Sequence, residues 1–200
     1  MSAPTRWVTD TAAGHSEAFV ERFRALQRSG ADLAGEARLV DAMLSRRSRV
    51  LDAGCGAGRV GGYLHAVGHT VVGVDADPVL VAAAREDHPG PTWLVADLAT
   101  LDLASAGISE PFDACVCAGN VMPYVAPGTE TDVLRGIGAH LAPDGVALVG
   151  FGTGRGYELS DFDRHLVAAG FALEQRYSTW DLRPWSASAD FAVSVLRRPA

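Results

Sequence analysis

Residues 49–60, which read RVLDAGCGAGRV, constrain the fold and the function of this chain more than any other stretch. A short apolar strand over 49–51 leads into Asp52 at its carboxyl end. Glycines then follow at every second position, namely Gly54, Gly56 and Gly58. Because glycine has no Cβ, such a turn adopts φ > 0 easily and lets a ligand approach the backbone. A helical pattern resumes after Ala57 and brings free N–H groups to the turn, which favours an anionic or polar ligand.

Two known fingerprints overlap in this stretch, and the residues ahead of the helix separate them. Residues 56–61 satisfy the dinucleotide pattern G-x-G-x-x-G, which places its first glycine directly after the strand and a pyrophosphate on the helix N-terminus. Here Asp52 and Gly54 come first, and a carboxylate at that place would repel a pyrophosphate but attract an ammonium. An NAD-dependent oxidoreductase remains an alternative, although the chain has no evident Tyr-x-x-x-Lys pattern or substrate domain.

The complete string D-x-G-x-G-x-G over residues 52–58 resembles motif I of the class I S-adenosylmethionine-dependent methyltransferases. The chain looks like the small single-domain bacterial members of that family. Their cofactor carries an α-amino group and a sulfonium and has no phosphate, in agreement with the acid at Asp52. The resemblance covers roughly residues 49–196, within which only motif I is specific by itself. It implies S-adenosyl-L-methionine as cofactor and an enzyme that transfers the methyl group of that cofactor.

Length and charge narrow the class of protein further. Two hundred residues suit one α/β domain, and the net charge of −7 with no basic run argues against a nucleic-acid partner. No apolar run reaches the length of a membrane span, and residues 1–10 show no secretory signal. Three cysteines cannot form an even set of disulfides, which predicts a reducing, cytoplasmic location. Cys115 and Cys117 lie two apart in a strand pattern and are interpreted as buried small side chains, so no metal site is expected.

Strand and helix patterns alternate along the chain after two N-terminal amphipathic helices. Strand patterns are found at 49–51, 69–75, 92–96, 111–118, 146–151, 171–180 and 191–196. The first five alternate with helical patterns, which predicts parallel pairing, whereas the last two follow each other directly and should pair antiparallel. We therefore predict an α/β fold with a Rossmann-like, doubly wound seven-stranded sheet. The sheet should be mostly parallel with one antiparallel strand, and helices should cover both of its faces.

Helix starts and the domain organisation can also be proposed from the sequence. Asp77 followed by proline predicts a capped helix start. Thr129 with Asp132, and Ser160 with Asp163, resemble capping boxes in which Asp replaces Glu. Residues 1–200 are predicted to form a single methyltransferase domain, in which 1–47 are an N-terminal helical lid and 48–200 are the cofactor-binding sheet core. Packing of the N-terminal helices against the sheet is the alternative to a lid.

Ligands of open α/β sheets bind beyond the carboxyl ends of the strands, where the strand order reverses. Asp75 ends the second strand, where an acid can accept both ribose hydroxyls. In the family that the chain resembles, the position of Asp97 contacts the adenine amino group, and Ala118 and Gly119 would line the methionine portion. The complete predicted cofactor-binding set is Asp52, Gly54, Cys55, Gly56, Gly58, Asp75, Ala76, Asp97, Leu98, Ala118 and Gly119.

The sulfonium of the cofactor is already an activated leaving group, so the protein needs mainly to align the acceptor and to exclude water. No catalytic base is identifiable, and one is needed only for a protonated nucleophile. Residues 120–124, NVMPY, resemble the N-P-P-Y motif of amino-methylating enzymes, but Val121 and Met122 break it. Asn120 and Tyr124 are predicted substrate residues, and a turn in which Tyr124 packs under the cofactor is the alternative.

A second glycine-rich loop over 152–157 follows the fifth strand and is predicted to be a flexible substrate rim that carries Arg155. Further rim candidates, for which structural roles are the competing interpretation, are His15, Trp7, Trp180 and Trp185. The chain has no large insertion that would grip a macromolecule, so we expect a small-molecule acceptor. Some relatives of this type act on thiols or metalloid oxyanions. A non-catalytic S-adenosylmethionine-binding protein is the remaining alternative.

Overall fold

Seven strands form one sheet in a computed structural model that describes residues 3–198. They are β1 (Arg49–Ala53), β2 (Thr70–Asp75), β3 (Thr92–Val95), β4 (Phe112–Cys117), β5 (Leu141–Gly152), β6 (Ala172–Tyr177) and β7 (Phe191–Arg197). The order across the sheet is β3-β2-β1-β4-β5-β7-β6. Pairing is parallel from β3 to β5, and β7 runs antiparallel to both of its neighbours. The predicted sheet, with its single antiparallel strand, is confirmed.

Eight α-helices occur within residues 3–198, and two of them were not predicted. They are α1 (Arg6–Thr9), α2 (His15–Arg28), α3 (Gly35–Met43), α4 (Arg59–Ala66), α5 (Pro78–Asp87), α6 (Val121–Tyr124), α7 (Glu130–His140) and α8 (Leu159–Ala168). The unpredicted helices α1 and α6 have four residues each, too few to produce a periodic apolar pattern. None of the helices in these described residues is long and apolar enough to cross a membrane.

The core has two layers because successive residues of the central strands point to opposite faces of the sheet. Val50 of β1 packs with Val40 of α3 and Leu64 of α4 on one face. Its neighbour Leu51 packs with Leu134 of α7 on the other face. Both faces of the central strands are therefore covered by helices, which explains why these strands read as nearly continuous apolar runs.

Cys115 and Cys117 share one face of β4, and both are buried free thiols. Burial in this apolar layer raises the pKa of both thiols, to about 12 for Cys117, because the thiolate would lose its hydration. They are therefore packing residues, as the sequence indicated. Among the described residues, no group of three or more His, Cys, Asp or Glu side chains is arranged to hold a metal ion.

Of the three predicted helix caps, only the one at Asp77 forms the expected hydrogen bond. Asp77 caps α5 as expected, since its Oδ1 accepts a hydrogen bond from the backbone N–H of Val79 over 2.8 Å. Thr129 precedes α7 but makes no cap bond, because its hydroxyl donates to the carbonyl of Ala126 in the preceding turn. Ser160 lies inside α8, which begins at Leu159, so that predicted cap is wrong.

Candidate active site

The five residues between β1 and α4 form the predicted glycine turn. The φ angles are +77° at Gly54, +53° at Gly56 and +82° at Gly58, so all three positions use the conformational freedom of glycine. The backbone N–H groups of Gly54 and Cys55 both donate to the carbonyl of Val74, over 2.8 and 3.0 Å. The turn is therefore fastened to the end of β2, which brings two of the predicted strand ends together.

The three glycines face three different neighbours. A Cβ on Gly54 would lie 2.3 Å from Val121 of α6, and a Cβ on Gly58 would lie 3.0 Å from Trp93. Gly56 has space around it, since its nearest side chain is Phe19 of α2 at 3.7 Å. Packing within the protein therefore requires glycine at Gly54 and Gly58. At Gly56, by contrast, there is open space where a side chain would lie.

A cavity of about 1090 Å³ opens where the ends of β1, β2 and β4 converge. Its wall includes every predicted cofactor residue except Gly58, and it includes all three predicted substrate residues. The residues that line it are Asp52, Gly54, Cys55, Gly56, Asp75, Ala76, Asp97, Leu98, Ala118 and Gly119, together with Asn120, Tyr124 and Arg155. Gly58 lies outside the cavity wall because its side-chain direction is filled by Trp93 and Ala84.

Asp52 lies at the cavity wall but is only 2% exposed. Its Oδ2 accepts a hydrogen bond from the backbone N–H of Gly61 over 2.8 Å, which holds the first turn of α4 against β1. Burial raises the pKa of Asp52 to about 7, although the Gly61 bond and the charge of Arg59 oppose this change. Oδ2 is thus engaged by α4, whereas Oδ1 accepts no hydrogen bond from the described residues and is the oxygen that we assign to a cationic group in the cavity.

Asp75 organises the backbone next to the turn. Its Oδ2 accepts from the N–H of Gly56 and its Oδ1 from the N–H of Asp77, each over 2.9 Å. Burial raises the pKa of Asp75 in spite of these bonds. Each carboxylate oxygen has two acceptor sites, so both oxygens keep capacity for ribose hydroxyls. Asp97 accepts from the N–H of Ala99 over 2.9 Å and caps a short 3₁₀ turn at the cavity wall.

The N-terminal segment forms another wall of the cavity, through aromatic residues of α1 and α2. The ring of Trp7 lies 4.6 Å from His15, 5.6 Å from Phe19 and 5.5 Å from Tyr124, measured between centroids. The rim candidates Trp7 and His15 therefore line the cavity. The other two do not, since Trp180 covers Gly150 of β5 and Trp185 lies 5.7 Å from the guanidinium of Arg176.

Two sets of polar contacts at this site were not predicted from the sequence. Asp77, identified only as a helix cap, also accepts from Trp7 Nε1 over 2.8 Å and from the hydroxyl of Ser16. Arg59 of α4 forms a two-pronged ion pair with Glu36 of α3, at 2.6 and 2.8 Å. Burial would raise the pKa of Glu36, but the guanidinium outweighs burial and lowers it. The position of Arg59 directly after the glycine turn could have marked it as a site residue. Its partner Glu36 could not have been found in this way, because it lies 23 positions away in the chain.

Comparison with known proteins places this geometry in a family. The family described as "Methyltransferase domain" matches residues 50–145. A TehB-like SAM-dependent methyltransferase from Corynebacterium glutamicum is 41% identical, with 94% of this chain and 100% of that chain covered and a TM-score of 0.88. The CcbJ methyltransferase from Streptomyces caelestis has a TM-score of 0.73 at 20% identity, with 83% of this chain and 90% of that chain covered, and shows the shared fold.

A malonyl-[acyl-carrier protein] O-methyltransferase from Pectobacterium atrosepticum is 34% identical over 95 residues, which are 48% of this chain and 36% of that protein. The match thus spans about a third of the length of that relative. Fold, glycine turn and relatives together define a class I S-adenosylmethionine-dependent methyltransferase. The chain belongs to this family, its cofactor is S-adenosyl-L-methionine, and the dinucleotide interpretation of residues 56–61 is set aside.

Proposed function

We propose that this enzyme methylates a small-molecule acceptor that binds beside the cofactor in the cavity of about 1090 Å³. That volume is the observation that carries the proposal. It lies at the upper end of the usual range for a small-molecule pocket, roughly 300–1000 Å³. The wall combines the predicted cofactor residues with aromatic side chains of the N-terminal segment, so one cavity offers surfaces for two ligands.

The residues at the strand ends fit the parts of S-adenosylmethionine. Asp97 and Leu98 are assigned to the adenine, and Asp75 to the ribose hydroxyls. Open space at Gly56 is the cradle for the methionine portion, which a side chain at that position would fill. The free oxygen of Asp52 is assigned to a cationic group of the cofactor, and Ala118 and Gly119 complete that wall.

The cofactor supplies an activated methyl group, and the protein supplies position and a dry environment. Trp7, Phe19 and Tyr124 would cover the cavity with aromatic surface and exclude water from the methyl group. Alignment of the acceptor by these walls can contribute several kcal/mol, up to about 7–11 kcal/mol in well-oriented reactions. The proposal needs no general base, which suits acceptors that are already deprotonated.

The chain is proposed to act as one domain. Of the predicted lid, residues 1–47, we assign only α1 and α2 to a cover over the sheet core, because Val40 of α3 packs with Val50 of β1 inside the core. Two contacts attach this cover to α5. Arg24 of α2 forms an ion pair with Asp87 of α5 at 2.8 Å, and Trp7 bonds to Asp77. The lid is thus attached to the helix that follows the proposed ribose acid.

The acceptor of the malonyl-[acyl-carrier protein] relative does not carry over to this chain. Its match includes less than half of the chain. The family match over 50–145 likewise leaves out the N-terminal segment and Arg155, which are proposed here to contact the acceptor. These relatives therefore support the methyl-transfer chemistry. The acceptor has to be inferred from the residues of this chain that the matches leave out.

Calorimetry with S-adenosylhomocysteine, followed by an assay that detects its release from S-adenosylmethionine, tests the proposal. We expect S-adenosylhomocysteine to bind and to raise the melting temperature, because a ligand of the native state stabilises by mass action, and NAD to do neither. A panel of small thiols, phenols and carboxylic acids should contain an acceptor that releases S-adenosylhomocysteine. If only a protein or a nucleic acid served as acceptor, the small-molecule proposal would be wrong.

A further inference from the structure

A second cavity of about 280 Å³ adjoins the large one beside the predicted substrate residues Tyr124 and Arg155. Tyr124 and Arg155 line both cavities, so the two spaces meet at these side chains. The remaining residues of the smaller cavity, referred to here as the side cavity, are Arg6, Asp10, Pro123 and Gly156. Its wall therefore combines the N-terminal segment with the loops that follow β4 and β5.

The side cavity carries two guanidinium groups that lack an acidic partner. Within residues 3–198, neither Arg6 nor Arg155 has a carboxylate oxygen within 4.0 Å. Arg6 donates to the carbonyl of Pro123 over 3.3 Å. Asp10 is the one acidic residue of the wall, so two positive charges and one negative charge leave a net charge of +1.

Other arginines of the large cavity are already engaged. Arg24 is paired with Asp87, and Arg59 is paired with Glu36. Arg22 lies over the ring of Phe23 at 4.9 Å. Arg6 and Arg155 therefore differ from Arg24 and Arg59, because no carboxylate neutralises their charge.

The position of Arg155 is supported by the loops around it. Asn120 Oδ1 accepts a hydrogen bond from the backbone N–H of Gly152 over 2.6 Å, which fastens the loop after β4 to the end of β5. Gly152 provides the space that Arg155 occupies, because a Cβ there would lie 2.8 Å from the Nε of Arg155. The predicted substrate residues Asn120 and Arg155 thus meet at Gly152, and Tyr124 shares both cavity walls with Arg155.

We propose that the side cavity anchors a carboxylate group of the methyl acceptor between Arg6 and Arg155. A guanidinium presents a planar fork of donors that matches the two oxygens of a carboxylate. The acceptor then extends past Tyr124 into the large cavity, where its nucleophilic end meets the methyl group. This inference rests on the proposed function, and it defines the acceptor as a small organic acid whose charged end is not the end that is methylated.

Matched acceptor pairs test this inference directly. The assay compares 3-mercaptopropionate with 1-propanethiol, and 4-hydroxybenzoate with phenol, at saturating S-adenosylmethionine. For the wild type we expect the acid of at least one pair to have a roughly tenfold higher kcat/KM, as hydrogen bonds between charged groups predict. Arg6→Gln and Arg155→Gln should raise KM for the acid with less effect on kcat, and the double variant should remove its advantage. Arg135→Gln, on the solvent-exposed face of α7, removes the same charge elsewhere and should change nothing.

Binding measurements keep the outcome clear when turnover is slow. With S-adenosylhomocysteine present, calorimetry should detect the same acids, and acetate should compete with them. If no acid binds, or if the double variant binds acids as well as the wild type, the inference is wrong while the proposed function stands. Stronger competition by inorganic phosphate than by acetate would assign the side cavity to phosphate instead. Failure of the wild type to bind S-adenosylhomocysteine would overturn the proposed function itself.

Discussion

Trp7 Nε1 donates a hydrogen bond to Asp77 Oδ2 over 2.8 Å, between residues that are 70 positions apart in the chain. The hydroxyl of Ser16 donates to the same oxygen, while Oδ1 of Asp77 caps α5. Burial alone would raise the pKa of Asp77, but these hydrogen bonds outweigh burial and lower it. One carboxylate therefore attaches the N-terminal segment to a helix that begins three residues after Asp75.

Trp7→Phe tests this attachment, because phenylalanine keeps an aromatic ring but removes the donor. We expect a loss of about 1.5–3 kcal/mol in the docking of the N-terminal segment, the usual value of a hydrogen bond to a charged group. Limited proteolysis should cut the segment around residues 10–14 faster, and the affinity for S-adenosylhomocysteine should fall severalfold. Trp185→Phe, outside the cavity, is the matched control. Equal proteolysis rates in both variants would argue against a docked lid.

Asp52→Asn should change how stability depends on pH. The folded-state pKa of Asp52 is raised to about 7 from an ordinary value of 3.8, so the folded protein favours the protonated acid. As pH rises from about 4 to 7, the unfolded state loses this proton first, and the free energy of unfolding falls. The asparagine variant has no such loss, so its stability relative to the wild type should increase across that range. Urea unfolding at several pH values measures the difference, and parallel curves would contradict the prediction.

Asp75→Ala should weaken the binding of S-adenosylhomocysteine by about 1.5–3 kcal/mol, the value of hydrogen bonds to a charged group. The variant also loses the acceptor for the N–H of Gly56, so the glycine turn should loosen as well. Asp75→Asn retains an acceptor oxygen and should lose less affinity than the alanine variant. Calorimetry of both variants separates these effects, and unchanged affinity would leave Asp75 as a strand-end cap only.

Two alanine variants of the glycine turn separate an effect on cofactor binding from an effect on the stability of the protein. Gly56→Ala has room within the protein, so it should cost only the roughly 1–2 kcal/mol of a positive φ. It should nevertheless abolish cofactor binding, because its methyl group enters the cavity. Gly58→Ala places its Cβ 2.9 Å from Ala84 and 3.0 Å from Trp93, so it should destabilise the protein more. Thermal unfolding and calorimetry of the two variants are the measurements. A folded Gly56→Ala variant with normal affinity would remove the turn from the cofactor site.

Much of the fold could be read from the sequence, since strand alternation and helical spacing are local properties of the chain. The ends of elements were harder to predict. β5 begins at Leu141, five residues before the predicted strand, because Leu141 pairs with Phe112 ahead of a shift in register. The expected capping boxes at Thr129 and Ser160 failed because the choice between a cap and a turn depends on the surrounding chain.

The sequence alone determined the location of the turn with positive φ angles and the acidic residues near the carboxyl ends of the strands. These features depend on glycine and on the period of each element, so neighbouring residues suffice to predict them. Only the tertiary structure decided that Gly58 faces Trp93 while Gly56 faces open space, and that Arg6 reaches Pro123 across 117 positions. Such contacts arise from the packing of distant segments, whose separation along the chain leaves no local pattern.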